Sequence, residues 1–238
     1  MAISELDLPV NVVAHSLANP QRLAQTLAED VAKALEFALQ TQGEASLVVS
    51  GGRSPVAFFE ALSRLPLNWS KVQVSLADER WVAPEQPGSN EGLLRRHLLQ
   101  NEAARAQLVG LYQAAETLEE AARLAGQGVA SLKQPIDVLV LGMGDDGHTA
   151  SLFPGSSLLA EALREDCAEY CLPMRAPVEP EQRITMTYPL LASARLRCLA
   201  IQGSAKLDTL RQAIKADPLQ MPIHAFLQKT SMEIYWCP

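Results

Sequence analysis

Ile136-Asp137-Val138-Leu139-Val140-Leu141, followed by Gly142-Met143-Gly144-Asp145-Asp146-Gly147-His148-Thr149-Ala150-Ser151-Leu152-Phe153-Pro154-Gly155, is the stretch that decides the fold. Its first half is a short apolar run of the kind found in strands buried on both faces. Its second half is a glycine-rich turn carrying one histidine. An α/β protein offers a titratable group to a ligand in this way, from the carboxyl end of a buried strand. His148 is therefore the first catalytic candidate, the alternative being a buried, hydrogen-bonded imidazole of structural role.

Gly142, Gly144 and Gly147 spell G-x-G-x-x-G, which raises a dinucleotide site. That fingerprint requires a helix opening at the third glycine and an acid about 20 residues on for the ribose. Pro154-Gly155 stops any helix begun at Gly147 within about two turns, because proline lacks the N–H and clashes with the preceding turn. Glu165 and Asp166 lie beyond that break. No nicotinamide or flavin is assigned.

Outward from this stretch, helical and strand-like segments alternate. Asn19-Pro20 starts a helix, with asparagine as cap and proline at the first helical position. Leu23, Leu27, Val31, Leu35 and Leu39 then recur every four residues up to Gly43. Ser46 to Ser50 reads as a buried strand, Ser54-Pro55 opens a helix toward Leu65, and Val72 to Ala77 is the next strand. A loop rich in Pro and Gly runs from Pro84 to Gly88. Asn90 can cap a helix through Gln100, and Thr117 with Glu120 forms a capping box for another toward Leu132. Tyr170 to Met174, Arg197 to Gln202 and Met232 to Trp236 read as strands, and Ser204 to Ala216 as a helix. The alternation predicts an α/β fold: a Rossmann-like, mostly parallel sheet with helices on both faces. The absence of repeats, low-complexity tracts and linkers predicts one domain over residues 1–238.

Composition narrows the function. With 238 residues and 48% hydrophobic content the chain can bury a sizeable core. A net charge of −7, with no Lys/Arg cluster, argues against nucleic acid as a partner. No apolar stretch approaches the ~20 residues of a membrane span, and Met1 to Val10 carry neither a basic region nor an apolar one of an export signal. A cytoplasmic location is expected. Cys167, Cys171, Cys198 and Cys237 lack zinc spacing and read as reduced, buried hydrophobes; no metal is assigned.

Ligands of such sheets bind beyond the carboxyl ends of the strands, where four polar segments fall. Ser50-Gly51-Gly52-Arg53 leads from a strand into a helix: backbone without Cβ atoms can approach an anion, and Arg53 adds a planar fork of donors. An ordinary turn with a solvated arginine is the alternative. Asp78-Glu79-Arg80-Trp81 is either a salt-bridged corner or a substrate contact. The His148 turn is the third segment. Gly203-Ser204-Ala205-Lys206 is the fourth, where from spacing alone Lys206 reads more readily as surface charge than as a phosphate ligand.

S-G-G-R-S-P at residues 50–55, D-E-R-W-V-A-P at 78–84 with Ser89-Asn90 downstream, G-M-G-D-D-G-H-T-A-S-L-F-P-G at 142–155, Pro180 with Arg183-Ile184-Thr185, and G-S-A-K at 203–206 occur in the order seen in 6-phosphogluconolactonases. From about residue 20 to its end the chain thus resembles the glucosamine-6-phosphate isomerase/6-phosphogluconolactonase family. The resemblance implies a fold similar to glucosamine-6-phosphate deaminase and ribose-5-phosphate isomerase. It also implies cofactor-free hydrolysis of 6-phospho-D-glucono-1,5-lactone, the second step of the pentose phosphate pathway. A small-molecule substrate follows, with the protein a monomer or small homo-oligomer. In the deaminases the matching segments look like D-E-Y and G-H-I-A-F-N-E-P. Here Arg80 replaces the tyrosine and Leu152 to Gly155 offer no carboxylate, which favours the lactonase. A sugar-phosphate sensor would need a DNA-binding segment, and the residues before the first helix are too few and too acidic to supply one.

For lactone hydrolysis an imidazole can take a proton from water and return it to the leaving ring oxygen, which is the role expected of His148. Asp146 either orients that ring or bonds its own turn. The oxyanion could be met by turn N–H groups, Gly147 among them, or by Arg80. The resemblance places the 6-phosphate on Ser50, Gly51, Gly52, Arg53 and Lys206, with Arg183 a further candidate for the anionic pocket and Asp78 for the sugar.

Overall fold

The computed structural model describes residues 3–238; Met1 and Ala2, the first residues of the segment read for an export signal, lie outside the described residues. The chain runs β1 (Val12–Ser16), α1 (Pro20–Gln42), β2 (Ala45–Val49), α2 (Val56–Leu62), β3 (Val72–Leu76), β4 (Asp78–Arg80), α3 (Asn90–His97), β5 (Gln107–Val109), α4 (Leu118–Val129) and β6 (Val138–Leu141). It continues with α5 (Leu159–Ala162), β7 (Cys171–Arg175), β8 (Gln182–Met186), α6 (Tyr188–Ala192), β9 (Leu196–Gln202), α7 (Ser204–Ala213), α8 (Ile223–Lys229) and β10 (Met232–Cys237).

Seven strands form one parallel sheet in the order β1-β10-β9-β6-β2-β3-β5. Every residue of β2 and of β6 is buried. Successive strand side chains point to opposite faces, so both faces of the sheet centre are covered. Leu47 and Val49 on one face and Val48 on the other are fully buried, each stabilising the fold by about 1.5–3 kcal/mol relative to exposure. From β2 the chain steps through β3 and β5 to one edge, then returns to β6 and steps through β9 and β10 the other way. Strand order therefore reverses between β2 and β6, where α/β sheets open a crevice for ligands.

α1 begins and ends as its sequence predicts. The Asn19 side chain accepts the Arg22 amide, Pro20 takes the first helical position, and Gly43 closes the helix with φ 81°, a left-handed conformation that glycine adopts without strain. Thr117 caps α4 through the Glu120 amide. At α3 the cap is Ser89, not Asn90. The Ser89 hydroxyl accepts the Gly92 amide at 3.0 Å, while the Asn90 amide group donates to the Asp78 carbonyl. α2, α3 and α7 end at Leu62, His97 and Ala213, each short of the expected length.

A second sheet is the main departure. β4, β8 and β7 form a three-stranded antiparallel ribbon. The strand expected near Tyr170 to Met174 is part of it, not of the parallel sheet. Ala77 is the joint between the two sheets: its N–H bonds the Val49 carbonyl at the end of β2, and its carbonyl accepts the Met186 amide of β8. The ribbon thereby lies beside the carboxyl ends of the central strands.

Candidate active site

The turn after β6 is built around His148. The Gly144 amide donates to the His148 carbonyl at 2.8 Å, the Gly147 amide donates to the Gly144 carbonyl at 3.2 Å, and Thr149 Oγ1 donates to the Gly142 carbonyl at 2.8 Å. The imidazole lies so close over Gly144 that a Cβ there would stand 2.1 Å from His148 Nδ1. Gly147 has φ 77° and its carbonyl accepts the Ile223 amide at the start of α8. Thr149 and Leu152 close the following turn as a bridge, so no helix opens at Gly147 for a dinucleotide pyrophosphate.

Asp146 holds the ring. Its Oδ1 lies 2.6 Å from His148 Nδ1 and also accepts the His148 amide at 3.1 Å. Phe153 packs on the imidazole with ring centroids 4.5 Å apart. Partial burial works against ionisation of Asp146, but the His148 amide and ring outweigh it and hold the carboxyl below the usual aspartate range. With Nδ1 turned to the carboxylate, Nε2 is the ring nitrogen left for other work.

Opposite residues of the ribbon supply cations. Arg80 on β4 is paired in register with Arg183 on β8. Arg80 Nη1 donates to the Gly88 carbonyl and Arg183 Nε to the Pro180 carbonyl, each at 2.7 Å. The Arg183 guanidinium sits 5.7 Å from the Phe153 ring centroid, a cation–π distance. Among the described residues neither arginine enters an ion pair. Burial, and then the charge of Arg80, lower the basicity of Arg183. Arg80 Nε is buried without a hydrogen-bond partner, as is Ser50 Oγ. Both residues border one hollow, and a buried polar atom without a partner costs about 1–3 kcal/mol.

One cavity of about 360 Å³ brings these parts together. Ser50, Gly51 and Gly52 line it from the end of β2, and Asp78 and Arg80 from β4. His148 lines it from the turn after β6, Arg183 from β8, and Lys206 from the first turn of α7. Lys206 Nζ is 2.6 Å from Asp145 Oδ1, a carboxylate in the His148 turn. Asp78 Oδ2 accepts the Ser151 hydroxyl at 2.6 Å. Three of the expected residues are not among those lining the cavity: Asp146 stands behind His148, Gly147 packs against Met221, and Arg53 is exposed.

Asn90 and Phe153 are among the lining residues that sequence reasoning did not place in the site. Asn90 packs so tightly on Gly51 that a Cβ there would stand 2.1 Å from Asn90 Oδ1. The polar character of the Ser89-Asn90 pair fits a helix cap equally well, so the residue types alone do not mark Asn90 as a site residue. Phe153 lies inside the quoted turn; only the fold reveals that it supports both His148 and Arg183.

Residues 18–236 match the family model described as glucosamine-6-phosphate isomerases/6-phosphogluconolactonase. A 6-phosphogluconolactonase of Pseudomonas putida is 56% identical over 239 residues, covering 100% of this chain and 98% of that protein. One from Pseudomonas aeruginosa is 54% identical, covering 100% of both chains. The crystal structure of a 6-phosphogluconolactonase from Shewanella baltica superposes with a TM-score of 0.93 at 39% identity, over 97% of this chain and 100% of that one. A monomeric glucosamine-6-phosphate deaminase shares the fold at a TM-score of 0.77 and 18% identity, over 94% of this chain and 97% of its own. The chain belongs to the glucosamine-6-phosphate isomerase/6-phosphogluconolactonase family.

Proposed function

We infer that this protein is a lactone hydrolase that converts 6-phospho-D-glucono-1,5-lactone to 6-phospho-D-gluconate, the second step of the oxidative pentose phosphate pathway. The observation that carries this is identity of 54% and 56%, over the whole chain, to proteins named 6-phosphogluconolactonase.

The chemistry follows from the side chains in the cavity. Water attacks C1 while His148 Nε2 takes its proton, and Asp146 steadies the imidazolium that forms. A C–O bond to the water oxygen is made, and negative charge gathers on the former carbonyl oxygen. Arg80, whose side chain lines the cavity, meets that charge. When the tetrahedral species collapses, the bond from C1 to the ring oxygen breaks and His148 returns the proton to that oxygen. The acid formed at C1 then ionises, and the imidazole is restored for the next turnover.

The phosphate is held by Ser50, the backbone of Gly51 and Gly52, Lys206 and Arg183. Arg53 is on the same loop with its side chain in solvent, so it contributes charge more than contact. Asp78 faces the sugar hydroxyls. Anchoring the phosphate at a distance from C1 applies remote binding energy to orienting the carbonyl. Residues 1–238 act as a single catalytic domain on this small molecule, in the cytoplasm, as a monomer or small homo-oligomer, and the steps call on groups of the protein and water alone.

The test is direct. Purified protein added to freshly generated lactone accelerates its disappearance well above the spontaneous rate, and glucosamine 6-phosphate releases no ammonia. Hydrolysis at the spontaneous rate, or ammonia release, would overturn the assignment.

A further inference from the structure

Glu79 is a buried carboxylate that the mechanism does not use. Side chains alternate along β4, so Asp78 and Arg80 face the cavity while Glu79 points the other way, into the protein. It is 0% exposed. Its carboxylate meets four donors. Oε1 accepts the amides of Arg80 and Asn90, each at 2.7 Å. Oε2 accepts the Glu91 amide at 2.7 Å and the Ser89 hydroxyl at 3.1 Å. An ionised carboxylate has four lone-pair positions and no proton to give, and here all four are used.

Two of those donors are the first amides of α3, which have no partner inside the helix. Ser89 supplies the amide of Gly92 with its acceptor. Between them, Glu79 and Ser89 fix where α3 begins. That position sets Asn90, the first residue of the helix, with its side-chain amide bonded to the Asp78 carbonyl at 3.0 Å and its oxygen against Gly51. The segment leading into α3 also carries the Gly88 carbonyl that holds the Arg80 guanidinium. A shift of this segment would therefore move Asn90, the glycine loop and Arg80 together.

We propose that Glu79 is a positioning residue: its buried anion draws the start of α3 onto β4 and so places Asn90 and Arg80 on the cavity wall in the geometry turnover requires. The proposal rests on the lactonase reading above. An apolar side chain of similar size would fill the space but leave the Arg80, Asn90 and Glu91 amides and the Ser89 hydroxyl without their acceptor. A protonated Glu79 would turn an O–H toward one of its four donors, and one contact would open. Burial pushes this acid up to about 7, against the pull of the three backbone amides, with the charge of Asp78 adding to the rise. The other charged groups near it are Arg80 on its own strand, Arg183 on β8, and Glu91 on α3, which is paired with Arg95 at 2.8 Å. Turnover by the wild type should thus fall on the acid side of neutrality partly through Glu79.

The experiment compares wild type, Glu79→Gln and Asn90→Ala on 6-phosphogluconolactone across a pH series, with circular dichroism to establish folding. Glu79→Gln sets an amide N–H against backbone N–H groups. It should lower kcat by about tenfold to a hundredfold, the scale of a small misplacement of catalytic groups, and make the acid limb of kcat shallower. Asn90→Ala, which keeps Glu79, should lower kcat while leaving the limb as steep as in wild type. A folded Glu79→Gln enzyme with wild-type kcat and an unchanged limb would overturn the proposal. If Glu79→Gln does not fold, the decision falls on Asn90→Ala, and wild-type kcat there would overturn it. A wild type that leaves the lactone intact would instead overturn the activity itself.

Discussion

Asp146 Oδ1 takes both the ring Nδ1 of His148, at 2.6 Å, and the backbone amide of the same residue, at 3.1 Å. One carboxylate oxygen thus fixes the imidazole from two directions and leaves Nε2 facing the cavity. His148→Ala should lower kcat by about 10²- to 10⁴-fold, the range for loss of a general acid–base. Steady-state kinetics on a variant with a native circular dichroism spectrum is the check, and near-normal turnover would remove His148 from the mechanism.

Asp146→Asn probes the orienting bond alone. A neutral amide can offer an N–H to the ring and select the wrong tautomer, so kcat should drop between about tenfold and about 10³-fold with KM little changed. The Asp146 carboxyl is held below its ordinary range. Its contribution to stability is therefore present above that range and disappears only as pH falls through the lowered value. At neutral pH the variant should therefore melt below wild type, with the gap closing as pH falls through that value, and a large change in KM would show that Asp146 contacts substrate.

Gly144→Ala places a methyl group 2.1 Å from His148 Nδ1 and 2.7 Å from Asp146 Oδ1. The ring must leave its seat. Turnover should fall by at least about tenfold, and stability by about 1–3 kcal/mol for the crowding. Thermal melting and kcat measured on one preparation give both numbers, and a fully active alanine variant would contradict the seating of the ring.

Lys206→Ala and Arg53→Ala separate a contact from a nearby charge. Losing a charged hydrogen bond of about 1.5–3 kcal/mol should raise KM for the phosphorylated lactone by roughly 10- to 150-fold at Lys206. At exposed Arg53 the rise should stay below about threefold, because screened surface charge is worth little. Neither change should affect unphosphorylated gluconolactone. An equal rise on both substrates would remove Lys206 from the phosphate.

Glu79 ties stability to pH in the opposite direction from Asp146. Its acid is raised from 4.5 to about 7 in the folded protein, so folding favours the protonated form. This contribution is complete below about 4.5 and is lost as pH rises through about 7. Relative to Glu79→Gln, wild type should gain melting temperature between about pH 8 and pH 5.5. Over that same interval the activity supported by Glu79 declines. Parallel curves for the two proteins would contradict the raised acid.

What the sequence disclosed, and what it concealed, follows from how locally each feature is encoded. β6 and its turn were legible because an apolar run and four glycines within 14 residues admit few structures. α1 was legible through its four-residue apolar spacing and both of its ends. β8 was missed because Arg183 and Thr185, polar residues that suggest a loop, are 5% and 0% exposed. β1 was missed because it is short and lies at the sheet edge, with Val13 55% exposed. Arg53 follows Gly52, whose φ of 92° is the left-handed conformation available to glycine, and its side chain lies in solvent, outside the cavity. Nothing in the residue types forecasts that direction. The need for glycine at position 51 was equally hidden, since the atom it avoids belongs to Asn90, distant in the chain.

The two sheets also divide the work of the site on the reading given above. The parallel sheet carries the proton-handling turn and the phosphate contacts at Ser50, Gly51, Gly52 and Lys206, whereas Asp78, Arg80 and Arg183 ride on a three-stranded ribbon joined to it at Ala77. Descendants of such a chain could acquire a new taste in sugars by editing a few ribbon positions, with the ester-cleaving machinery inherited intact. That modularity offers a physical reason why one scaffold serves relatives bearing different names.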